Sequence, residues 1–372
     1  MSRIAEWLKI RVPVAKDTLE RMTNEPVPHH MKHWWFALGG TPAYCFVVQI
    51  VTGILLAFYY EPSTTTAYDS VRYITYDARF GWFLRSLHKW GAMLMIASLV
   101  LHQMRVYFTG AYRRPRELNW VIGMGLLLTT VTTGFTGYSL VYEQLSYWGA
   151  TVGANIAKQT PFLGEFLGHA LLGGEAYGPH TLPRFFILHA AVLPMTIMLL
   201  VGLHVAMVRM HGVTEFAFAE DKNKKQHFDF FPDHVYTELI VGLFLMIVLT
   251  TLAITLPAEL GHRADPLITP EVIKPEWFFY VAFRWLKFFS GPTALVSMLA
   301  ILGLMFGWPF IDPFLQRVTR KREISVWIGI VAVLAIQSPS GAYAGLPTIN
   351  PRLKQLDVAV TVSSYVKVPV VT

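Results

Sequence analysis

WFLRSLHKWGAMLMIASLVLHQMRVY, residues 82–107, is an apolar run with a histidine near each end, His88 and His102. Read as a helix, the fourteen-residue interval sets the two rings ~21 Å apart along the axis and within ~40° of one another around it. A second apolar run, Arg184 to Arg209, carries His189 and His204 fifteen residues apart, ~60° out of phase by the same arithmetic. One histidine in a membrane helix is usually a polar group hydrogen-bonded inside a bundle. Two matched pairs on two helices point elsewhere, to a clamp for two metal centres, one near each membrane face. Bis-histidine haem ligation suits such a pair, because a six-coordinate iron passes electrons without binding a substrate.

Composition places these helices in a bilayer. Of 372 residues 53% are hydrophobic and 15% charged, against ~25% charged in an ordinary soluble protein. Charge-free runs at 34–60, 118–142, 185–208 and 239–258 are long enough to cross a hydrocarbon core of ~30 Å. With Trp82–Tyr107 and Phe288 to Ile311 they make six spans. A seventh starts at Ser325 and is apolar to Gln337 before weakening into Pro and Gly. The expected fold is an all-α membrane protein, spans A to G in chain order.

The charges agree with that count. Arg3, Lys9, Arg11, Lys16 and Arg21 precede span A. Arg105, Arg113, Arg114 and Arg116 join B to C; Arg209, Lys222, Lys224 and Lys225 join D to E; Arg317, Arg320, Lys321 and Arg322 join F to G. Seven spans put all four segments on one side, which the positive-inside rule makes the cytoplasmic, electrically negative one. The net charge of +7 therefore belongs to membrane loops and calls for no nucleic acid. One cysteine excludes an internal disulfide framework and a cysteine-ligated iron–sulfur cluster. The first 33 residues lack the short apolar core of a cleavable signal and read as an interfacial segment.

With B and D antiparallel, His88 pairs with His189 toward the positive side and His102 with His204 toward the negative side. Span A has Gly39 and Gly53 fourteen apart, and span C has Gly123 and Gly137 at the same interval. Either pair alone would read as helix packing. Matching the histidine rise, each glycine can stand level with one metal centre and clear room for a flat macrocycle. Arg85, Lys89 and Arg209 lie beside the histidines, placed either to neutralise haem propionates or to snorkel. The long C–D loop, 143–183, is expected to fold into short helices over the positive-side centre. In KPEWFFYVAFRWLKFF of the E–F loop, Glu276 stands among Pro275, Trp277 and Phe278. It is either a surface carboxylate or a proton acceptor from a bound ring hydroxyl.

These residues resemble a known family, the cytochrome b of quinol-oxidising bc and b6f complexes. The carriers are LGG…C…VTG in span A, RSLHKW…LH..RVY in B, PREL.W..G…TGYSL, WGATV, FFILH…LHVAMVR in D and PEWF in E–F. The fifteen-residue interval in D is similar to the b6 variant, so the chain looks like b6 joined to its subunit IV. The implied organisation is an interfacial segment 1–33, a di-haem four-helix bundle 34–212, a polar linker 213–235, helices E–G with the quinol-site loop in 236–340, and a tail 341–372. The resemblance makes His88, His189, His102 and His204 the axial ligands of two b haems, and Gly39, Gly53, Gly123 and Gly137 haem contacts. It places Glu276 at the quinol-oxidising site with Pro275, Trp277, Phe278 and Tyr138 as lining. Phe278 replaces the family's tyrosine, and Val141-Tyr142 its Pro-Trp.

The implied activity is quinol:acceptor oxidoreduction. One electron goes to a Rieske iron–sulfur partner and onward to a c-type cytochrome or equivalent; the other crosses through the haems to a quinone-reducing site, with proton translocation. A homodimeric complex in a bacterial cytoplasmic membrane or an equivalent energy-transducing one is implied, with the N-terminus on the negative side. Cys45 reads by itself as a small buried hydrophobe, lacking the C-x-x-C-H signature. The b6 likeness implies instead a third haem held there by one thioether. Two other readings remain open at this stage, a di-haem anchor of a dehydrogenase and a transporter relaying protons through its histidines.

Overall fold

The computed structural model describes residues 7, 10–11, 27–28, 38–214, 227–228, 234–270, 273, 275–289, 291–321 and 323–344. The expected interfacial segment, the linker and the tail lie almost wholly outside these. Among the described residues the regular structure is helical, apart from a two-residue antiparallel pairing of Val27–Pro28 with His227–Phe228 and an isolated bridge between Glu143 and Arg263. Six helices are long and apolar enough to cross a membrane.

The first spanning helix is α1, Gly40–Ala57. A short amphipathic helix, α2 (Ala67–Tyr76), follows in the first loop. Next come α3, Gly81–Thr109, which carries His88 and His102, and α4, Glu117–Ser139. Two helices in the next loop, α5 (Gln144–Lys158) and α6 (Gly164–Leu172), realise the expected short helices of 143–183. The fourth span is α7, Thr181–Ile187, a π-turn over Leu188–Val192, and α8, Leu193–His211, in continuous succession. Beyond it lie α9 (Val235–Thr255), α10 (Tyr280–Phe288), α11 (Gly291–Thr319) and α12 (Ile324–Ala344). The last is apolar over Ile324–Leu334, shorter than a full span.

α1 packs along α3 and α8 along α4, which makes a four-helix bundle with the two histidine helices across from each other. α9 lies against α3, and α11 against α4. Because the spanning helices are apolar nearly all round, no single stripe defines the core, as expected where lipid rather than water surrounds the bundle. At mid-height Cys45, Phe46, Met95, Leu126 and Ile197 fill the space between the helices. Met95 stands seven residues from each histidine of its helix, so this layer lies midway between the two histidine levels.

Polar side chains work at the two ends, where loops are tied to helices. At the His88 end, Arg85 donates to the carbonyls of Ala258 (2.8 Å) and Glu259 (2.9 Å), and Trp90 to that of Leu256 (2.7 Å). Glu143 and Ser146 form a capping box at the start of α5, and the same carboxylate accepts the Gly261 N–H at 2.7 Å. At the His102 end, the fully buried Asp312 accepts from Arg113 (2.9 Å) and Gln316 (2.7 Å) and meets the hydroxyl of Ser325. Arg11 reaches Glu117 at 2.5 Å, both buried, and ties the N-terminal segment to the first turn of α4. Removing either member of such a pair leaves a charge buried without its partner, at a cost of ~3–5 kcal/mol.

Candidate functional site

The four histidines meet in the pairs that the spacing predicts. The His88 and His189 rings have centroids 6.1 Å apart at 72°, and His102 and His204 lie 6.3 Å apart at 74°. An imidazole nitrogen binds a metal such as zinc at ~2.0–2.1 Å, so two rings trans across one ion stand roughly 6 Å apart. Both pairs hold that separation.

The fifteen-residue interval meets the fourteen-residue one through the π-turn. It contains His189 and takes up one residue without the rotation that an α-turn would add. Fifteen residues then advance the ring by about what fourteen do in a regular helix, and the 60° mismatch disappears. Pro194 stands two residues beyond. It has no N–H, and its ring would crowd the carbonyl of Ala190 in a continuous α-helix. The irregular turn thus lies where that helix would be strained.

The glycine quartet faces the rings one for one. A Cβ on Gly39 would stand 3.5 Å from Cε1 of His102, and one on Gly123 3.5 Å from Cε1 of His204. On Gly53 it would meet Cε1 of His88 at 3.2 Å, and on Gly137 Cε1 of His189 at 2.5 Å. Every histidine therefore lies against a neighbouring helix stripped of its side chain at that height. The donor set fits a haem, which takes two axial nitrogens from the protein and its other four from the macrocycle. No group of three or more His, Cys, Asp or Glu that could hold a different metal occurs among the described residues.

Surroundings of the two pairs differ. At the upper level Nδ1 of His88 lies 2.9 Å from the Thr52 hydroxyl. Nδ1 of His189 lies 3.0 Å from the Thr133 carbonyl and 3.3 Å from the Thr136 hydroxyl. A carbonyl only accepts, so Nδ1 of His189 carries the proton and Nε2 is left as the ligand atom. At the lower level Nδ1 of His102 is buried with no such partner among the described residues, while His204 interacts with the backbone of Asn119. These threonines were not singled out from the sequence. A signal existed, because Thr52-Gly53 and Thr136-Gly137 repeat one dipeptide at one level only.

Beside the upper pair opens a cleft of about 920 Å³. Tyr138, Glu143, Gln144, Glu259, His262, Pro275, Glu276, Trp277 and Lys89 contribute to its walls. It therefore collects Glu276, Pro275, Trp277 and Tyr138 from two distant segments. Phe278 takes another position, packed against Gly134 and 4.5 Å from Phe279. Glu276 precedes a 3₁₀ turn, Trp277–Phe279, and its side chain makes no capping bond to it. Val141-Tyr142 leads into a buried aromatic cap in which Tyr142 lies 5.9 Å from Tyr147 and 6.0 Å from Tyr177. Burial pushes the phenols of Tyr60, Tyr142, Tyr147 and Tyr177 above their ordinary range, so this roof stays uncharged.

Three other expected residues find different places. Arg85 holds the loop carbonyls named above, Lys89 lines the cleft, and Arg209 sits in the last turn of α8. Cys45 is fully buried in the midway layer, clustered with Met95, Leu126 and Ile197.

Residues 22–212 match the family model described as cytochrome b/b6/petB, and residues 263–353 that described as cytochrome b(C-terminal)/b6/petD. The cytochrome bc complex cytochrome b subunit of Chlorobaculum thiosulfatiphilum is 35% identical over 338 residues, covering 90% of this chain and 78% of its own. Cytochrome b6 of Heliomicrobium gestii is 43% identical over 210 residues, 56% of this chain and 99% of its own. A chain of a hyperthermophilic respiratory complex III superposes with a TM-score of 0.74 at 26% identity, covering 97% of this chain and 96% of that one. Two paired histidine levels, a glycine facing each ring and matches over both parts of the sequence lead to one conclusion: the chain belongs to the cytochrome b/b6 family, as a cytochrome b of the bc/b6f type.

Proposed function

We propose that this chain oxidises quinol in the cleft beside His88 and His189 and conducts electrons across the membrane toward a quinone-reducing site near His102 and His204. The observation that carries this reading is the juxtaposition of a 920 Å³ cleft containing Glu276 with one of two stacked histidine pairs. A plain di-haem anchor needs the histidines but not the cleft.

His88 with His189, and His102 with His204, would hold two b haems through Nε2. Bound there, each haem supplies a one-electron centre. Glu276, untied to its own helix, accepts a proton from a quinol hydroxyl at its carboxylate, while Tyr138 and Trp277 bound the ring. The uncharged tyrosine roof keeps water from the upper pair. Arg209, five residues beyond His204, would neutralise a haem propionate at the lower level. Arg85 acts by fixing the cleft wall through Ala258 and Glu259.

Two electrons leave a quinol, and one is passed to a separate iron–sulfur partner of Rieske type, since this chain lacks the ligands for a cluster. A c-type cytochrome or equivalent receives it, within a homodimeric complex. Protons leave on the cleft side and are taken up on the other, and the N-terminus lies on the latter, negative side. Beside the two b haems, the likeness to cytochrome b6 supports a third haem held at Cys45 by one thioether.

The test is steady-state quinol oxidation by the purified complex carrying Glu276→Gln, with dithionite-reduced spectra alongside. The rate should fall at least tenfold with both b haems retained. An unaltered rate would remove Glu276 from the chemistry.

A further inference from the structure

A proton taken up inside a cleft has to leave it before the next turnover. We propose that Glu259 is the exit relay of the quinol cleft, receiving the proton that Glu276 takes and passing it through a second cavity to the positive-side solvent. The inference rests on the quinol-oxidising reading above.

The second cavity, of about 300 Å³, has Trp90, Thr255, Leu256 and Pro257 in its wall. It shares two residues with the cleft, Lys89 and Glu259. A lysine ammonium carries donors and no acceptor, so of the two it is the carboxylate that can take up a proton. Glu276 is half-buried and lines the cleft, whereas Glu259 is exposed and lines both spaces. The two acids therefore stand in order from the interior outward. Other titratable groups in the cleft wall are less suited. Glu143 already accepts the N–H of Ser146 in its capping box and that of Gly261 at 2.7 Å, so its carboxylate is committed to holding the loop. His262 lines the cleft and not the second cavity.

A relay has to keep its place between turnovers, and the main chain around Glu259 is fastened by one stretch of α3. Trp90 donates to the carbonyl of Leu256 at 2.7 Å, and the Ser86 hydroxyl accepts the N–H of Ala258 at 2.9 Å. Arg85 donates to the carbonyls of Ala258 and Glu259 at 2.8 and 2.9 Å. These three residues flank His88, so the backbone of Glu259 is set at a fixed place relative to the upper pair. Its side chain, exposed, keeps its own rotations for moving between the two spaces. The transfer balances without a further reactant. The quinol hydroxyl gives its proton to the Glu276 carboxylate. That carboxylic acid yields it, by way of water in the cleft, to the Glu259 carboxylate and returns to its charged form. Glu259 then releases it to solvent, and no electron moves in these steps.

The test is steady-state quinol oxidation by the purified complex carrying Glu259→Gln, Glu259→Asp, or Glu259→Gln together with Glu276→Gln. Glu259→Gln should lower kcat roughly fivefold, a part of the ~10²-fold or more that a positioned proton acceptor supplies. KM for quinol and the dithionite-reduced spectra should hold, and the solvent deuterium isotope effect on kcat should grow as proton exit becomes limiting. Glu259→Asp should recover most of the rate, which a role in packing would not predict. In the double variant the rate should equal that of Glu276→Gln alone, because a relay has nothing to carry once the first acceptor is gone. An unaltered rate in Glu259→Gln, equal losses in the Asp and Gln variants, or losses that multiply in the double variant would overturn the relay. If Glu276→Gln by itself leaves the rate unchanged, the quinol-oxidising reading falls, and the relay with it.

Discussion

α3 and the fourth span do the same work with different counts of residues. Each presents two imidazoles one above the other, α3 with fourteen residues between them in unbroken α-helix and the other with fifteen, a π-turn and a proline. Ring separations of 6.1 and 6.3 Å show that the counts arrive at the same geometry. Ligand spacing is therefore a property of helix phase rather than of sequence interval. A helix can absorb an extra residue if one turn takes it up.

The comparison can be broken most severely at the ligands. His102→Leu on α3 and His204→Leu facing it should each remove the same centre, about half of the dithionite-reduced b absorbance. Loss of different centres by the two variants would undo the pairing. Next in size is a comparison of glycines. A methyl on Gly137 stands 2.5 Å from His189, whereas one on Gly39 keeps an ordinary 3.5 Å from His102. Gly137→Ala should lower haem occupancy at the upper level, with overpacking costing ~1–3 kcal/mol. Gly39→Ala should keep its haem, and equal losses would show that closeness to the ring is not what these positions guard. The smallest effect sharpens the π-turn argument. Deleting Ala191 leaves fourteen residues between His189 and His204, so both haems should stay bound. The same deletion returns Pro194 to a regular helix, at up to ~3 kcal/mol. A lowered melting temperature, recovered when Pro194→Ala is added, is the expected thermal signature.

The spans, the histidine pairs and the glycine quartet were legible because each is a periodic property of one helix. A count along the sequence finds them. Glu276 could be singled out because one carboxylate among aromatics is a local anomaly. The cleft was only half legible. Glu143, Glu259 and His262 join Glu276 through segments that meet only after folding, and nothing local marks them. The π-turn was hidden for a different reason. An interval of fifteen gives a phase error of 60° and does not say how the helix removes it, although Pro194 marked the place. Cys45 was legible as a small buried hydrophobe, which its place among Met95, Leu126 and Ile197 bears out, whereas its part in holding a haem is marked by likeness alone.

That layer, midway between the histidine levels, has a consequence for energetics. Among its members, Cys45, Phe46, Met95, Leu126 and Ile197, none offers a strong polar group, so the space between the centres is an insulator. An electron moving from one level to the other travels ~21 Å of a ~30 Å core, and so crosses roughly 70% of whatever voltage the membrane sustains. At 2.3 kcal/mol per 100 mV for a full crossing, that is work of about 1.6 kcal/mol per 100 mV. On the proposed direction of electron flow, toward the negative side, the chain would act as one limb of a charging capacitor, and its turnover would slow as the membrane became more strongly polarised.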